Sequence, residues 1–262
     1  MTAVIIVAQP KYGCIHFAGD AAAYMSDQTV VCFTSKVFPI AHWPGLVTTA
    51  GNGAMAPLFG WSLSQAFSTF DQAVDNAEQK LPDLAANYNL PNGAQLFFVG
   101  ISSRGPEAYV ARTDDRLPAG VTREEMEQNE YWVGMYELVK LPDQIQSPVP
   151  NDQVVAANYE GFDPDEPPES VLWSIRKMLE MQRQTKLPHG VGAIGGFGQC
   201  TTVYRDRVEQ KVLCRWPEDK IGTRLQPPPI DWSQWHRDNP KPGASISRIE
   251  RRRDRKHLRQ VV

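Results

Sequence analysis

The chain opens with two short β-type runs joined by a turn. Residues 3–8 (AVIIVA) and 14–18 (CIHFA) are rich in branched and aromatic side chains, and Pro10 and Gly13 lie between them. This pattern predicts a hairpin that starts at residue 2. More strand-like runs follow at 29–33, 36–40 and 46–50.

A helical period then replaces the alternation of strands. Between Met55 and about Leu81, apolar residues recur at spacings near 3.6, and they are Leu58, Phe59, Leu63, Phe67, Phe70 and Val74. We expect one long amphipathic helix or two short ones here. A second strand block follows at 95–100 and 108–112, and 131–141 is a candidate for another strand.

The second half repeats the order of strand and helix. Residues 142–169 are rich in Pro, Asp and Glu and predict a long surface loop, and 169–185 carry the apolar spacing of a helix. Two last strands fit 199–204 and 211–216. Strands, helix, strands, helix, strands is not a βαβ alternation, so the order indicates an α+β fold of antiparallel sheets covered by helices.

Composition bounds this picture. With 262 residues, of which 42% are hydrophobic and 22% charged, the chain can build one substantial core. Beyond Thr223 aliphatic residues become rare, Pro227-Pro228-Pro229 intervenes, and the chain ends in ISRIERRRDRKHLRQVV. We therefore expect a domain over 1–225 and an extension over 226–262. In the extension, Trp232 and Trp235 favour an arm that docks on another subunit over an unstructured segment. The basic end fits a solvated terminus better than a contact with an acidic partner or nucleic acid.

Several function classes are disfavoured. No apolar run approaches the roughly 20 residues of a membrane span, so a cytoplasmic protein is expected. A net charge of −3 makes nucleic acid an unlikely partner. The four cysteines lack CxxC spacing and are expected to be reduced core residues, while the five histidines show no zinc spacing, so no metal is predicted. His16, in mid-strand, fits a packed or face-exposed residue better than a ligand.

Glycine patterns do not indicate a cofactor. GVGAIG at 190–195 follows a predicted helix and precedes a strand, the reverse of a dinucleotide-binding context. GNGAMA at 51–56 has a better context, with Asp71 about twenty residues on, but a hairpin precedes it rather than a Rossmann opening. No cofactor is predicted.

Thr2 is the first candidate for chemistry. It follows Met1 and is small enough for methionine aminopeptidase to expose it. A free N-terminal threonine combines a hydroxyl nucleophile with an α-amine that accepts its proton. The pKa of an α-amine, about 8, lies nearer neutrality than that of a lysine, about 10.4. The residue alone is a weak signal, because many chains begin Met-Thr.

The context of Thr2 carries a family resemblance. Thr2 opening a hairpin, Ala18-Gly19-Asp20, Ser35-Lys36-Val37 and Ala50-Gly51-Asn52-Gly53-Ala54 before a helix resemble the N-terminal half of proteasome β subunits and of the bacterial ATP-dependent protease that shares their fold. The match covers roughly residues 2–75. The resemblance implies a four-layer αββα sandwich of the N-terminal-nucleophile hydrolases, with two antiparallel sheets between helices.

The same resemblance implies roles and partners. Thr2 would be the nucleophile, Lys36 would lie beside its hydroxyl and amine, Asp20 would hold Lys36, and Gly51 would offer its N–H to the oxyanion. It further implies a homo-oligomeric ring that cleaves peptide or protein substrates. An ATPase partner is left open.

The second half departs from the family pattern. Val191 and Ile194 stand where the family has an acid and a hydroxyl, and Ala21, Ala22 and Ala23 follow Asp20 where an arginine is expected. Threonine-type hydrolysis of amide bonds is the leading hypothesis. The alternatives are a catalytically silent ring or scaffold subunit of the same fold and an amidase or acylase for small molecules.

Overall fold

Antiparallel strands dominate the protein. The computed structural model describes residues 2–25, 27–51, 53–88, 94–114, 134–150, 161–185 and 194–243. Within these ranges the strands are β1 Val4–Gln9, β2 Cys14–Asp20, β3 Ala22–Tyr24, β4 Val30–Phe33, β5 Val37–Ile40, β6 Gly45–Gly51, β7 Ala94–Ser102, β8 Gly105–Arg112, β9 Val139–Lys140, β10 Gln144–Ser147, β11 Phe197–Tyr204 and β12 Val208–Arg215.

The strands form two large sheets and a small ribbon. The first sheet has the order β10-β1-β2-β11-β12, and the second has the order β5-β6-β7-β8-β9. Every described ladder within them is antiparallel, including the predicted opening hairpin, in which Ile6 pairs with Phe17. Strands β3 and β4 pair separately as a two-stranded ribbon.

The two sheets pack face to face. Alternate residues of each strand meet in a common apolar layer, where Val4 and Ile6 of β1 join Phe97 and Val99 of β7. Because successive side chains point to opposite faces, Leu96 and Phe98 of β7 face the other way, into a second layer. Full burial of both faces explains why β1 and β7 read as continuous apolar runs.

Helices cover the outer faces. Helices α1 (Met55–Ala66) and α2 (Phe70–Tyr88) pack on the second sheet, and α3 (Pro168–Arg183) packs on β2, β11 and β12 of the first. Phe59 and Leu63 of α1 and Ala77 of α2 are fully buried in the second layer. The protein therefore has the four-layer αββα architecture expected from its sequence.

Some sequence-based expectations were wrong in detail. The predicted loop over 142–169 contains β10, which pairs with β1 at the edge of the first sheet. The periodic region from Met55 forms two helices, which was one of the two expected alternatives. The candidate strand over 131–141 is reduced to β9 within its described part, and β3 was not predicted.

The chain divides into two compact units, Met1–Pro229 and Ile230–Val262. The described part of the second unit holds α4 (Trp232–Asp238), whose first turn is capped by the Asp231 carboxylate accepting from Gln234 N at 3.0 Å. The Trp232 and Trp235 rings lie 5.8 Å apart. The domain boundary at 225 stays a prediction, and the basic residues of the terminal tail lie outside the described residues.

Within the described ranges, no helix is both long and apolar enough to cross a membrane.

Candidate active site

The first sheet supplies Thr2 and Asp20. Thr2 lies two residues before the start of β1 and is 8% exposed, and Asp20 ends the neighbouring strand β2 and is 3% exposed. Hairpin pairing of Ile5 with Ala18 sets their register. The main chain that follows the threonine is tied directly to the acid, since Ala3 N donates to Asp20 Oδ1 at 3.0 Å.

Lys36 reaches this pair from the second sheet. It directly precedes β5, and its carbonyl accepts a 2.8 Å hydrogen bond from the Thr48 hydroxyl of β6. Its Nζ lies 3.0 Å from Asp20 Oδ1 and 3.4 Å from Thr2 Oγ1. The lysine side chain is only 11% exposed, so it holds a desolvated charge between a carboxylate and a hydroxyl.

Asp20 is saturated by hydrogen-bond donors. Its Oδ1 accepts from Ala3 N and Lys36 Nζ, and its Oδ2 accepts from Ala22 N at 3.2 Å and Gly195 N at 3.3 Å. A buried carboxylate is tolerated when it is paired and its lone pairs are satisfied. The four donors therefore fix the orientation of Asp20.

Gly51 lies at the end of β6, on the wall of the same cleft as Thr2 and Lys36. Its φ of 111° lies in the region that glycine adopts freely and other residues avoid. Asn52, which follows it, lies outside the described residues. The sequence-predicted Thr2, Asp20, Lys36 and Gly51 thus gather at one place, although the assignment of their catalytic roles stays a prediction.

A cleft of about 370 Å³ opens beside Thr2. Its remaining walls come from the β3–β4 ribbon, the end of β6 and the residues that lead into α1. Among its described lining residues, Lys36 is the one that carries a charge; the rest are small or uncharged side chains such as Ala23, Cys32 and Ala54. The cleft is large enough to accept one side chain and part of a chain backbone.

Near residue 191 the sequence departs from the family pattern, and the structure describes part of this region. Val191 lies outside the described residues. Ile194 is fully buried, and its carbonyl accepts a 2.7 Å hydrogen bond from Arg183 Nη1. The next residue, Gly195, supplies its N–H to Asp20. Sequence reasoning missed Gly195 as a contributor to the site, because a main-chain donor leaves no mark in residue type.

His16 belongs to a buried network away from the cleft. It is fully buried on β2, with Nδ1 2.9 Å from Thr202 Oγ1 and Nε2 2.8 Å from Gln9 Oε1. Burial lowers the pKa of His16 to about 4, so the ring is neutral near pH 7. Of the two expected placements, packed or exposed on a strand face, the structure shows the packed one.

The four cysteines are free, and each lies in a strand. Burial raises the pKa of Cys14 to about 11 and the pKa values of Cys200 and Cys214 to about 12. Their thiols are therefore protonated and poor nucleophiles near neutrality. Within the described ranges no three His, Cys, Asp or Glu side chains gather to hold a metal ion, and the expectation of no metal or cofactor stays a prediction.

The arrangement has the parts of a hydroxyl nucleophile with electrostatic support. An ammonium beside Thr2 Oγ1 stabilises negative charge that develops on the oxygen, and Asp20 fixes that ammonium in place. Gly51 lies on the same cleft wall, and its role as a main-chain N–H donor stays a prediction. No second ionisable side chain is required to activate Thr2 if its own amine is free.

Comparison with solved structures shows the fold. The chain is similar to Anbu (ancestral beta-subunit) from Yersinia bercovieri, with 10% identity, 84% of this chain and 88% of that chain covered, and a TM-score of 0.53. It is also similar to an Anbu (Gly-1) mutant from Hyphomicrobium sp. strain MC1, with 11% identity, 84% and 89% coverage, and a TM-score of 0.55. No family model and no curated protein matches the sequence.

These comparisons correct one expectation. The fold is that of the proteasome-like N-terminal-nucleophile hydrolases, but the similar structures are Anbu proteins, a related and distinct branch. The assignment to the branch of the bacterial ATP-dependent protease is therefore wrong.

Proposed function

We propose that the protein is an N-terminal threonine hydrolase that cleaves amide bonds, most readily those of peptides. One observation carries this proposal: Lys36 Nζ contacts both Asp20 Oδ1 and Thr2 Oγ1, at the edge of a cleft. A lysine and an acid arranged only for stability need not point at a terminal hydroxyl.

The proposed reaction uses Thr2 twice. After removal of Met1, the Thr2 hydroxyl attacks the amide carbonyl carbon while the α-amine takes the hydroxyl proton. The tetrahedral intermediate collapses as that proton passes to the leaving amine, which leaves an ester on Thr2 Oγ1. Water then attacks the ester carbonyl with the amine again as base, and the carboxylic acid and the free threonine are released.

The other residues act through charge and position. Lys36 stabilises the developing charge on Oγ1 and disfavours protonation of the neighbouring amine, so the amine remains a base near neutral pH. Gly51 N–H is the proposed donor to the carbonyl oxygen as it becomes an oxyanion. The uncharged cleft walls favour substrates that place an uncharged side chain beside Thr2.

Assembly into a ring of identical copies is also proposed. Met25, Val31 and Ile221 are exposed by 57%, 45% and 63%, and they lie on or beside the β3–β4 ribbon, where Val30 N donates to Thr223 O. Exposed apolar groups of this kind are typical of subunit contacts.

Free cysteines suit a reducing compartment, which supports a cytoplasmic location.

A catalytically silent subunit is the second candidate. The buried aliphatic Ile194, where a hydroxyl is expected from the family pattern, is the observation that favours it. An acylase for small molecules uses the same nucleophile and differs only in the substrate that fits the cleft.

Substitution at Thr2 tests the proposal. Thr2→Ala should lower peptide hydrolysis by about 10⁶-fold, because it removes the nucleophile and leaves only binding and oxyanion contacts. Thr2→Ser, which keeps both hydroxyl and amine, should retain measurable turnover. Thr34→Ala, a threonine on the same cleft wall, is the matched control and should keep most activity. Hydrolysis by Thr2→Ala at the wild-type rate would defeat the assignment, and a wild-type protein without activity on any amide would favour the silent subunit.

A further inference from the structure

Residues 194–196, here called the support segment, hold the end of β2 in place. Gly195 N donates to Asp20 Oδ2, and Gly195 O accepts from Ala21 N at 3.3 Å and from Ala22 N at 3.1 Å. Three hydrogen bonds thus connect one glycine to Asp20 and the two residues after it. The position of the Asp20 carboxylate depends on where this segment lies.

A buried ion pair holds the segment from its other side. Arg183, at the end of α3, is 1% exposed and donates Nη1 to Ile194 O at 2.7 Å. It also binds both carboxylate oxygens of Asp219, with Nη2 at 2.7 Å from Oδ1 and Nη1 at 2.9 Å from Oδ2. Asp219 Oδ2 in turn accepts from Gly196 N at 2.7 Å. The pair therefore contacts the residues on both sides of Gly195.

The support segment has little room to shift. A Cβ on Gly195 would lie 2.5 Å from Leu225 Cδ2 and 2.7 Å from Asp219 Oδ2, closer than real Cβ contacts. Gly196 O accepts from Trp216 N at 3.0 Å, and the Arg183 guanidinium lies 4.6 Å from the centre of the Trp216 ring. Close packing on each side means that a change at the ion pair is passed to the main chain of Gly195.

We propose that Arg183 and Asp219 are positioning residues for Asp20, acting through the support segment to set the orientation of its carboxylate and, through it, of Lys36. This inference rests on the proposed function, but the placement of Asp20 that it describes can be measured without activity. Bidentate pairing suits the task, because a planar guanidinium fixes both the distance and the angle of a carboxylate. One chain of contacts then runs from α3 to Thr2.

The expected effect falls on turnover rather than on substrate binding. If the support segment shifts, Gly195 N–H leaves Asp20 Oδ2 and the carboxylate can rotate, which moves Lys36 relative to Thr2 Oγ1. The ion pair does not line the cleft, so the binding surface for substrate is retained. Small misplacements of catalytic groups lower rates by one to two orders of magnitude.

The test compares two carboxylate-to-amide substitutions. Asp219→Asn weakens the pairing with Arg183, and Glu107→Gln is the control, because Glu107 is a buried carboxylate bonded to Arg104 and Lys140 in the other sheet. We expect Asp219→Asn to lower kcat for a fluorogenic peptide by about tenfold with KM within about twofold, and Glu107→Gln to keep both. Arg183→Lys, which keeps the charge but not the bidentate fork, should fall between wild type and Asp219→Asn.

Hydrogen exchange gives the readout that does not need activity. In Asp219→Asn, a peptide covering 17–24 should exchange its Ala21 and Ala22 amides about tenfold faster, while peptides from β7 and β8 stay as in the wild type. In Glu107→Gln, peptides from β7 and β8 should exchange faster, while the peptide covering 17–24 stays as in the wild type. Unchanged exchange at 17–24 in Asp219→Asn, or an equal loss of turnover in Glu107→Gln, would overturn the inference. If the wild type itself hydrolyses nothing, the proposed function fails, and the exchange pattern alone decides the positioning role.

Discussion

Two buried carboxylates in the protein have similar partners and different surroundings. Asp20 pairs with Lys36, and Glu107 pairs with Lys140 at 2.6 Å and Arg104 at 3.0 Å. Lys140 and Arg104 are half exposed, whereas Lys36 is 11% exposed. The charged groups of Arg104 and Lys140 reach solvent, whereas the ammonium group of Lys36 contacts the Thr2 hydroxyl.

The comparison distinguishes the Glu107 ion pairs, which stabilise the fold, from the Asp20–Lys36 pair, which can also activate a nucleophile. Burial acts to raise the pKa of Glu107, but hydrogen bonds from Arg104 and Lys140 outweigh it and bring the pKa down to about 2. In that network the negative charge of Glu107 is paired with the positive charges of Arg104 and Lys140. At Asp20, three main-chain donors also hold the carboxylate. The lysine on this carboxylate is directed towards the Thr2 hydroxyl at a cleft.

Removing the two lysines should give the largest contrast. Lys36→Ala should lower peptide hydrolysis by about 10³-fold, because it deletes the charge beside Thr2 Oγ1. Lys140→Ala, which removes the equivalent partner of Glu107, should leave turnover within about twofold. Steady-state kinetics of both variants measures the difference. Equal turnover in the two variants would mean that Lys36 has no part in the reaction.

Neutralising the two acids should give a smaller contrast in activity than removing the two lysines. Asp20→Asn should lose turnover, whereas Glu107→Gln should lose stability. Asp20→Asn should lower kcat by about 10²-fold, because the lysine loses its anchor but keeps its charge. Glu107→Gln should keep kcat and lose about 1–2 kcal/mol of unfolding free energy, since the half-exposed Arg104 and Lys140 lose a charged acceptor. Urea unfolding and kinetics on the same samples check both effects. A normal kcat in Asp20→Asn would place the acid outside the mechanism.

The smallest expected effect is on stability in acid. The folded pKa of Glu107 lies below its ordinary value of 4.5, so its contribution is present above about pH 4.5 and is lost as pH falls towards about 2. Half-exposed partners are screened by solvent, which limits the contribution to about 1–2 kcal/mol. The stability difference between wild type and Glu107→Gln should therefore shrink over this range in urea titrations. A difference independent of pH would show that the charge of Glu107 is not what stabilises the fold.

The periodic parts of the fold could be predicted from the sequence, and the edges could not. Strands buried on both faces, such as β1 and β7, leave long apolar runs, and α1 and α2 leave a helical period. The edge strand β10 has the polar sequence QIQS, because one side of it pairs with β1 and little of it enters the core. Its position depends on a partner far away in the chain, which local pattern does not encode.

The candidate site, like the fold, could be predicted only in part from the sequence. The order and spacing of Thr2, Asp20, Lys36 and Gly51 predicted a shared site. Thr2, Lys36 and Gly51 do line one cleft, and Asp20 is bonded to Lys36 beside it. The Gly195 N–H and the Arg183–Asp219 pair could not be, because a main-chain donor and a pair 36 residues apart have no sequence signature. Val191, where the family has an acid, lies outside the described residues.

Intact mass of the protein before and after exposure to a peptide epoxyketone or a β-lactone tests the nucleophile most directly. These electrophiles react with an activated N-terminal threonine and add one molecule per active chain. We predict that the purified chain has lost Met1, gains one inhibitor mass at Thr2, and gains none in Thr2→Ala. A chain that has lost Met1 and takes up no inhibitor, or an adduct of equal extent in Thr2→Ala, would contradict the assignment of Thr2 as nucleophile.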